Sequence, residues 1–303
     1  MEPGAIASFS IDCKESGRDD PAKMIRLAVP NKGRLQQPTL DLMRTAGLSF
    51  ETTDRALSVV ARNADIELLF VRTEDVPELV NDGVAELGIT GQDLLAEYGI
   101  ELEVLAELAY GHCRLAAAVP IGSTVDKVED LDGLRVATAH PRATARFFDE
   151  RGIDVTVVPL RGSVEVATKL GVADGIVDLV STGSTLMVNG LREVGLVLAS
   201  QAVLVAGPAS VNGDASRVAT ALRAVVAGRG KRYLLLNAPV DAVDSIAALI
   251  PGLEAPTVVP LAEEGMVAIH SVVAADEIWS LLPRLEEAGG TGILVLPIEQ
   301  LVP

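Results

Sequence analysis

Residues 165–186, with the sequence EVATKLGVADGIVDLVSTGSTL, hold a dense group of side chains suited to a phosphorylated ligand. An apolar run that contains Asp178 ends in a loop of small polar residues, namely Ser181, Thr182, Gly183, Ser184 and Thr185. A strand that enters a helix through such a loop presents N–H groups, hydroxyls and the positive end of the helix dipole to an anion. Because Ser, Thr and Gly are also common helix caps, the loop alone leaves a purely structural role open.

Carboxylates accompany this loop. Asp178 precedes the turn and Asp174 lies four residues earlier, although the two need not share a face if residues 176–180 form a strand. A carboxylate at this place can accept hydrogen bonds from ribose hydroxyls or hold Mg²⁺ through water. The chain contains no Gly-Lys-Ser/Thr ending, nucleophile elbow or HExxH motif. The chemistry indicated is therefore binding and positioning, without a side-chain nucleophile.

The three histidines carry less information. His112 and His270 lie at or in apolar strands, which favours structural roles, whereas His140 lies in a loop at a strand end and both roles stay open. Two cysteines, Cys13 and Cys113, are too few for a disulfide framework and have no zinc-ligand spacing.

Composition narrows the class of protein. The 303 residues include 49% hydrophobic and 22% charged residues, which is typical of a soluble globular chain. Lys and Arg number 25 against 42 Asp and Glu, and the net charge of −17 argues against nucleic acid as a partner. Residues 1–23 do not have the pattern of a signal peptide, and we expect a disordered extension there, with no membrane partner and a cytoplasmic location.

From residue 24 onward, strand-like and helix-like segments alternate, which predicts an α/β fold. We expect one lobe from residues 24–113 and 202–229 and a second from residues 114–201, with a hinged cleft between them. The second lobe includes an expected helix over residues 164–170. Basic or glycine-containing turns follow the expected strands at residues 31–35 and 87–93, at the sheet edge where open α/β sheets bind ligands.

The tail, residues 230–303, has the order βαββαβ of a ferredoxin-like domain. It contains no polar cluster, so a regulatory or oligomerising role is favoured over a catalytic one.

A known family has similar motifs. The stretch from Glu165 through Asp178 to Leu186 resembles the signature of the ATP phosphoribosyltransferases, which carry out the first step of histidine biosynthesis. Further similar blocks follow in the family's order: residues 29–35 (VPNKGRL), 87–93 (LGITGQD), 137–141, 188–191 and 251–257. The resemblance covers residue 24 to the end and includes the C-terminal module of the family's long form. It implies a two-lobed, periplasmic-binding-protein-like catalytic core with a ferredoxin-like domain.

The resemblance also implies a reaction. N1 of the adenine of ATP attacks C1 of the ribose of phosphoribosyl pyrophosphate, Mg²⁺ is required and pyrophosphate leaves. Catalysis of this kind depends on positioning and electrostatic stabilisation. Histidine is implied as a feedback inhibitor of a homo-oligomer that shifts between dimer and hexamer.

The implied roles fall on particular residues. The 181–185 loop is expected to bind the ribose 5-phosphate. Ribose or metal contacts are expected from Asp178, with Asp174 and Glu165 as further candidates. Phosphate contacts are expected from Lys32, Arg34 and Arg72, of which Lys32 and Arg34, with Asp178, are the expected catalytic residues. Further substrate contacts are expected from Gly88, Thr90, Gly91, Asp93 and Thr138. A small effector pocket in the tail is expected to be bordered by Asn237, Ala268 and Ser271.

Two other classes of protein fit parts of the sequence. A two-lobed solute-binding protein would also have a hinged α/β cleft. Such a protein is expected to carry an export signal and to lack a ferredoxin-like tail. A phosphate-sensing regulator would require a helix-turn-helix or a basic face, and neither is apparent in the sequence.

Overall fold

The computed structural model describes residues 24–53, 55–181, 183–208, 213–253 and 255–302. The extension expected at residues 1–23 and the site residue Thr182 lie outside the described residues. The described strands form three sheets, of six, five and four strands. We call the units built on the first two sheets lobe I and lobe II, and the unit built on the third sheet the C-terminal module.

Lobe I begins with an alternation of parallel strands and helices. Its first elements are β1 (Ile25–Pro30), α1 (Gln36–Thr45), β2 (Ser58–Val60), β3 (Ile66–Val71), α2 (Val76–Asn81), β4 (Leu87–Gly91), α3 (Gln92–Tyr98) and β5 (Glu103–Glu107). β1 pairs in parallel with β3 and β4, so the carboxyl ends of these three strands lie at one edge of the sheet. Apolar residues of β1, β3, β4 and α1, including Leu27, Leu68, Leu87 and Leu42, are buried and form the core.

Lobe II follows within the chain. Its elements are β6 (Cys113–Pro120), β7 (Arg135–Thr138), α4 (Pro141–Asp149), β8 (Thr156–Pro159), β9 (Gly175–Val180), α5 (Ser184–Val188) and β10 (Leu191–Ser200). β7 is parallel to both β8 and β9, and the sheet order is β10-β6-β9-β7-β8. Buried residues cover both faces of this sheet, with Phe148 and Leu115 in one cluster and Ile176 and Leu186 in the other. The carboxyl ends of β7 and β9 are therefore fixed next to each other.

The chain then returns to lobe I through β11 (Ala202–Ala206) and α6 (Gly213–Gly228). β11 pairs antiparallel with β4 and β5 and completes the order β2-β3-β1-β4-β11-β5. The two segments that cross between the lobes are bonded to each other, because Leu108 N donates to Ala202 O and Ala202 N donates to Tyr110 O. Two adjacent crossovers of this kind form a hinge between two lobes.

The C-terminal module is an antiparallel sheet covered by helices. It consists of β12 (Lys231–Pro239), α7 (Val243–Leu249), β13 (Thr257–Pro260), β14 (Met266–Ala274), α8 (Ile278–Glu287) and β15 (Thr291–Pro297). The sheet order is β13-β14-β12-β15, and Leu234, Ile246, Ile269 and Leu285 are fully buried between sheet and helices. The fold class expected from the sequence, a two-lobed α/β core with a ferredoxin-like module, is confirmed.

One expected element is wrong. Residues 164–170 do not form a helix, and only Val164–Val166 make a 3-10 turn. Gly162 and Ser163 precede the turn with φ values of 92° and 49°, outside the helical region. After the turn, the backbone bonds have mixed spans, from Leu170 N to Val166 O, from Gly171 N to Thr168 O and from Val172 N to Ala167 O, so a regular α-helical ladder does not form. The strands β5 and β10, which the sequence did not indicate, are also present. β10 has two irregularities in its register with β6, so its alternation of apolar and polar residues is broken.

A candidate phosphate-binding cleft between the two lobes

A cleft of about 330 Å³ lies where the strand ends of lobe I and lobe II face each other. Most of its lining follows the carboxyl ends of β1, β3, β4 and β7. The lining residues are Lys32, Gly33, Arg34, Leu35, Thr73, Glu74, Gly91, Asp93, Leu94, His140 and Leu179. The sheet edges that the sequence singled out are thus brought together across one cleft.

The lobe I side carries two cations in the turn between β1 and α1. Gly33 has a φ of 81°, a conformation that side-chain-bearing residues rarely adopt, so glycine permits the tight turn that places Lys32 and Arg34. Lys32 is exposed at the cleft. Arg34 donates to Gly111 O at 3.1 Å and to Cys113 Sγ at 3.0 Å. These bonds fix the Arg34 guanidinium against the segment that crosses to lobe II.

The same crossover segment also holds α1. The Thr39 hydroxyl lies 2.6 Å from the Tyr110 hydroxyl and also donates to Leu35 O. Burial raises the pKa of Tyr110 to about 12, which outweighs the lowering by the Thr39 hydrogen bond and by Arg229. Tyr110 is therefore neutral at physiological pH and can serve as a hydrogen-bonding contact between the helix and the hinge.

Asp93, at the start of α3, is a nearly buried carboxylate with 3% exposure. Its Oδ1 accepts a hydrogen bond from Ser200 Oγ at 2.5 Å, and the backbone N–H of Asp93 donates to that same Ser200 Oγ at 3.0 Å. Arg34 Nη2 is 4.0 Å from Oδ1, too far for a hydrogen bond. Ser200, at the end of β10, thus positions the carboxylate from the second crossover.

The lobe II side contains the loop that motivated the sequence analysis. Gly183 precedes α5 with a φ of 80°, and Ser181, Ser184 and Thr185 are exposed. Arg114 Nη1 is 3.5 Å from Ser181 O, and its guanidinium makes a bidentate contact with Glu193, with Nη2 2.7 Å from Oε2. The loop is therefore open to solvent and has a guanidinium beside it.

Asp178 lies within β9 and is half-buried. The pKa of its carboxyl is raised, mainly because burial disfavours the charged form, and the charge of Glu165 adds to this effect. The hydrogen bond from Leu179 N–H, at 2.8 Å, and the nearby His140 act in the opposite direction and lower the pKa. Glu165 and His140 are thus close enough to act on this carboxyl electrostatically. This electrostatic contribution of Glu165 agrees with a common site for the two carboxylates, which stays a prediction.

The two lobes are in direct contact beside the cleft. Glu97 of α3 accepts hydrogen bonds from the N–H groups of Arg142 and Ala143, at 3.2 and 2.9 Å, in the first turn of α4. Arg146 Nη2 donates to Ala96 O at 2.6 Å. A carboxylate from lobe I therefore caps a helix of lobe II and limits how far the lobes can separate.

Two predicted contact residues instead support the cleft wall. Thr90 is fully buried, and its hydroxyl is 3.2 Å from Thr73 O, which fixes the turn after β3. Thr138 is also fully buried, and its hydroxyl accepts hydrogen bonds from His140 N at 2.9 Å and from the Thr144 hydroxyl at 3.2 Å. Both residues position neighbours that lie nearer the cleft.

Two other predictions are corrected by the structure. Gly88 lies inside lobe I, where a Cβ would be 2.5 Å from Val76 Cγ1, so close packing of α2 on β4 requires the glycine. Asp174 precedes β9, at the opposite end of the strand from the loop. Its carboxylate is held by Arg135, with Nη2 2.9 Å from Oδ1 and the Arg135 N–H 3.0 Å from Oδ2. Asp174 therefore stabilises the far edge of the sheet and does not reach the cleft.

Arg72 follows β3 at the cleft edge of lobe I and its side chain is exposed. Among the described residues it is not part of the cleft lining, although its neighbours Thr73 and Glu74 are. Its position beside the cleft is compatible with the predicted phosphate contact.

Three residues at the cleft were not singled out by the sequence as site residues. Ser200 is the last residue of β10 and Arg114 is the second residue of β6. No motif marks either residue, and their roles depend on contacts with Asp93 and with the 181–185 loop. His140, for which both roles were open, lines the cleft. His270, in contrast, pairs its Nδ1 with the Tyr233 hydroxyl at 2.6 Å, in agreement with the expected structural role.

The three predicted effector residues do not border one pocket. Asn237 pairs with Ala268 across β12 and β14, on the face of the sheet that is turned away from the helices. Ser271 lies on the opposite face, and its hydroxyl donates to Ile250 O at 3.1 Å beneath the helices. Because successive residues of a strand point to opposite faces, Ser271 cannot share a site with the other two.

Further features concern metals, membranes and cavities. No cluster of three or more His, Cys, Asp or Glu residues that could hold a metal ion is found within the part of the chain that the structure describes. The described helices include none long and apolar enough to span a membrane. A second cavity, of about 490 Å³, has a largely apolar lining between α1, α6 and the amino ends of β1 and β3, far from the motif residues.

Comparison with known proteins identifies the relatives of this chain. The family described as ATP phosphoribosyltransferase matches residues 72–226, and the HisG C-terminal domain matches residues 228–300. The ATP phosphoribosyltransferase of Gemmatimonas aurantiaca is 46% identical over 294 residues, covering 92% of this chain and 100% of the relative. That of Methanopyrus kandleri is 42% identical over 283 residues, with the same coverage. The solved ATP phosphoribosyl transferase (HisG:HisZ) complex from Thermotoga maritima has a TM-score of 0.58 and 30% identity, covering 67% of this chain and 99% of that chain.

The two-lobed core, the cleft and the appended module, together with these matches, define a pentosyltransferase. The C-terminal match accounts for the third sheet as a separate module of the same family. The chain belongs to the ATP phosphoribosyltransferase family, which acts in histidine biosynthesis. The resemblance drawn from the motifs is thereby confirmed, and the solute-binding and regulator alternatives lose their support.

Proposed function

We propose that this chain transfers the phosphoribosyl group of phosphoribosyl pyrophosphate to N1 of the adenine of ATP, as the first step of histidine biosynthesis, and that it does so in the cytoplasm. The observation that carries the proposal is the arrangement of the cleft. The basic turn of Lys32 and Arg34 faces lobe II, whose sheet edge carries Asp178 and the 181–185 loop. Such a cleft suits a ligand with phosphates at two ends and a sugar between them.

In the proposed reaction, the N1 lone pair of adenine forms a bond to C1 of the ribose. The bond between C1 and the pyrophosphate oxygen breaks, and its electron pair leaves with pyrophosphate. Positive charge develops on the ribose and negative charge on the leaving group, so fixed charges on the two sides of the cleft would lower the barrier. No side-chain nucleophile is required.

We assign the lobe II residues to the phosphoribosyl group. The exposed hydroxyls and N–H groups of Ser181, Ser184 and Thr185 would bind the 5-phosphate, with Arg114 as an additional cation at the loop. Gly183 permits the turn, and Thr182, which belongs to the same assignment, lies outside the described residues. Asp178 and Glu165 would accept hydrogen bonds from the ribose hydroxyls.

We assign the lobe I residues to the pyrophosphate and to the phosphates of ATP. Lys32 and Arg72 are exposed cations at the sheet edge, and Arg34 is held in place by its bonds to the crossover. In a chain with a net charge of −17, cations concentrated at one edge are needed to attract anionic substrates. Gly91 leaves room for the carboxylate of Asp93, which a Cβ at this position would meet.

Mg²⁺ fits this cleft as a partner of the substrate. The described residues offer carboxylates singly or in pairs, such as Asp178 with Glu165, and Mg²⁺ is usually held by one or two carboxylates together with substrate phosphates. When bound, it would neutralise charge on the pyrophosphate. Asp178 is the carboxylate we expect to face it.

Feedback inhibition by histidine, acting through the C-terminal module of a dimer that shifts to a hexamer, is a further part of the proposal. It is supported by the presence of the module. Because Ser271 lies on the other face of the sheet, the candidate effector site is reduced to the face that carries Asn237 and Ala268. Histidine titrated during turnover should lower the rate at millimolar concentration or below, and a rate that stays constant would contradict this part.

The direct test of the activity mixes the protein with ATP, phosphoribosyl pyrophosphate and Mg²⁺ and follows the ultraviolet absorbance of the modified adenine. Product should appear only when all components are present. A second assay quantifies released pyrophosphate, which should match the adenine product one to one. Folded protein that forms neither product would refute the proposal.

A further inference from the structure

The His140 ring lies at the cleft between the lobes, and its backbone is fixed on lobe II. The His140 N–H donates to the Thr138 hydroxyl at 2.9 Å, and its carbonyl accepts a hydrogen bond from Thr144 N at 3.0 Å. The side chain is 10% exposed. Its ring can therefore make only small movements relative to lobe II.

Among the described residues, neither ring nitrogen of His140 has a hydrogen-bond partner. Nε2 is 3.8 Å from Asp93 Oδ2, beyond the range of a hydrogen bond. Nδ1 is buried and has no partner among the described residues. A buried ring nitrogen without a partner, as at Nδ1, is unusual, because its lost interactions with water are not replaced. In this arrangement of the lobes, the described residues therefore supply no hydrogen-bond partner to the His140 ring.

The group facing Nε2 is fixed on the other lobe. Asp93 Oδ1 is bonded to Ser200 Oγ, so Oδ2 is the carboxylate oxygen that faces His140. A shortening of about 1 Å between the lobes would turn the 3.8 Å separation into a normal hydrogen bond of about 2.8 Å. The contact between Glu97 and α4 lies beside this pair and already joins the same two elements.

We propose that His140 is a positioning residue that holds the cleft closed through a hydrogen bond from Nε2 to Asp93 Oδ2. The bond forms when substrates draw the lobes together, and it sets the distance between the basic turn of lobe I and Asp178 of lobe II. This inference rests on the proposed phosphoribosyl transfer. His140 does not touch the reacting atoms, and its contribution is to the geometry in which they meet.

Three substitutions separate this role from simple space filling. His140→Gln places an amide donor near the position of Nε2, whereas His140→Asn places it near the position of Nδ1. His140→Phe keeps a ring without polar atoms. The full-length variants are assayed for kcat, for KM of both substrates and for binding of phosphoribosyl pyrophosphate with Mg²⁺.

We expect His140→Gln to retain kcat within about threefold, while His140→Asn and His140→Phe lose about 10- to 100-fold in kcat, because misplacement of about 1 Å costs that much. Because the bond forms when the ligand draws the lobes together, binding of phosphoribosyl pyrophosphate with Mg²⁺ should weaken in the Asn and Phe variants and change little in the Gln variant. Equal losses in the Gln and Asn variants, or no loss in either, would overturn the inference. This pair is decisive even if the Phe variant does not fold.

Hydrogen exchange gives a readout that does not depend on turnover. Phosphoribosyl pyrophosphate with Mg²⁺ should slow exchange in residues 91–98 and 138–146 of the wild-type and Gln proteins, and less so in the Asn protein. Protection of both segments that is identical in the Gln and Asn variants would contradict the closing bond. If the wild-type protein forms no adenine product but shows the protection pattern, the proposed reaction fails and the closing contact stands.

Discussion

The two edges of the cleft differ in how their groups are held. On lobe I, Arg34 and Asp93 are fixed by hydrogen bonds to the crossover segments, and Asp93 is nearly buried. On lobe II, the hydroxyls of the 181–185 loop are exposed, and only Asp178 is half-buried. The lobe I edge is thus preorganised by the hinge, whereas the lobe II edge presents a loop open to a ligand.

This difference supports a division of labour between the lobes. Fixed cations suit the stabilisation of charge on a leaving pyrophosphate, because they need no rearrangement when that charge develops. An open loop of hydroxyls and N–H groups suits the capture of a phosphate that carries its full charge from the start. Substitutions on lobe I should therefore lower kcat, and substitutions in the loop should weaken binding of one substrate.

Asp178 offers the largest expected effect. Asp178→Asn removes the carboxylate expected to stabilise the ribose and should lower kcat/KM by about 100- to 1,000-fold. Asp174→Asn is the matched control, because Asp174 is held by Arg135 at the far end of the same strand. Its activity should stay within about threefold of wild type while its melting temperature falls slightly. Comparable losses in both variants would remove Asp178 from the site.

Arg34→Lys should lower kcat by about 10- to 100-fold. A lysine keeps the charge but cannot bond to Gly111 O and Cys113 Sγ while it also presents a planar pair of donors to a phosphate. Arg62→Lys is the control on lobe I, because Arg62 forms an exposed ion pair with Glu51. Steady-state kinetics of both variants check this expectation, and an active Arg34→Lys enzyme would show that charge alone suffices.

Gly183→Val should raise the KM for phosphoribosyl pyrophosphate by about tenfold or more and change that for ATP far less. The substitution forces a β-branched residue into a φ of 80° at the start of α5. Thr182→Val, in the same loop, should shift the same KM. Gly190→Val is the control, because Gly190 has a φ of 70° just after α5 and no atoms near its Cβ position. Equal shifts in both KM values for Gly183→Val would refute the assignment of the loop.

Gly88→Ala tests the corrected assignment of that glycine. The new methyl group would meet Val76 and Val80, so the free energy of unfolding should fall by about 1–3 kcal/mol. Any activity that the folded enzyme retains should show unchanged KM values. Gly122→Ala, at a glycine with open space around it, should leave stability unchanged. Denaturant titration measures both, and a selective rise in one KM for Gly88→Ala would restore the substrate role.

The smallest expected effect concerns stability and pH. Because burial raises the pKa of Asp178 above its usual value, ionisation of this group opposes folding. Asp178→Asn should therefore increase thermal stability at pH values above the raised pKa. The gain should diminish as the pH falls and vanish below the ordinary pKa of an aspartate. Melting curves across this range check the sign, and a gain confined to low pH would contradict it.

The sequence was sufficient to predict the cleft edges but not their details. Alternating apolar segments and strand-end motifs indicated β1, β4, β7 and β9, because these strands are buried and regular. The irregular β10 escaped detection because its bulges disturb the alternation. The 164–170 segment has helical spacing of apolar residues, yet its backbone hydrogen bonds have mixed spans and form irregular turns instead of an α-helix.

For the site residues, too, the sequence predicted the region but not the role of each side chain. Asp178 and Asp174 look alike in sequence, and only the position of each along β9 separates a cleft residue from a structural ion pair. Gly88 and Gly91 lie in one motif, but packing of α2 explains the first. The bonds from Ser200 to Asp93 and from Arg34 to Gly111 join residues that are distant in sequence, so no local pattern could indicate them.

The most direct test of the proposed division between the lobes is a crystal structure with phosphoribosyl pyrophosphate and Mg²⁺ bound. We predict that the 5-phosphate lies on the 181–185 loop, that the ribose hydroxyls face Asp178, and that the pyrophosphate points toward Lys32 and Arg34. A 5-phosphate bound at the Lys32 and Arg34 turn, with the 181–185 loop empty, would contradict the account.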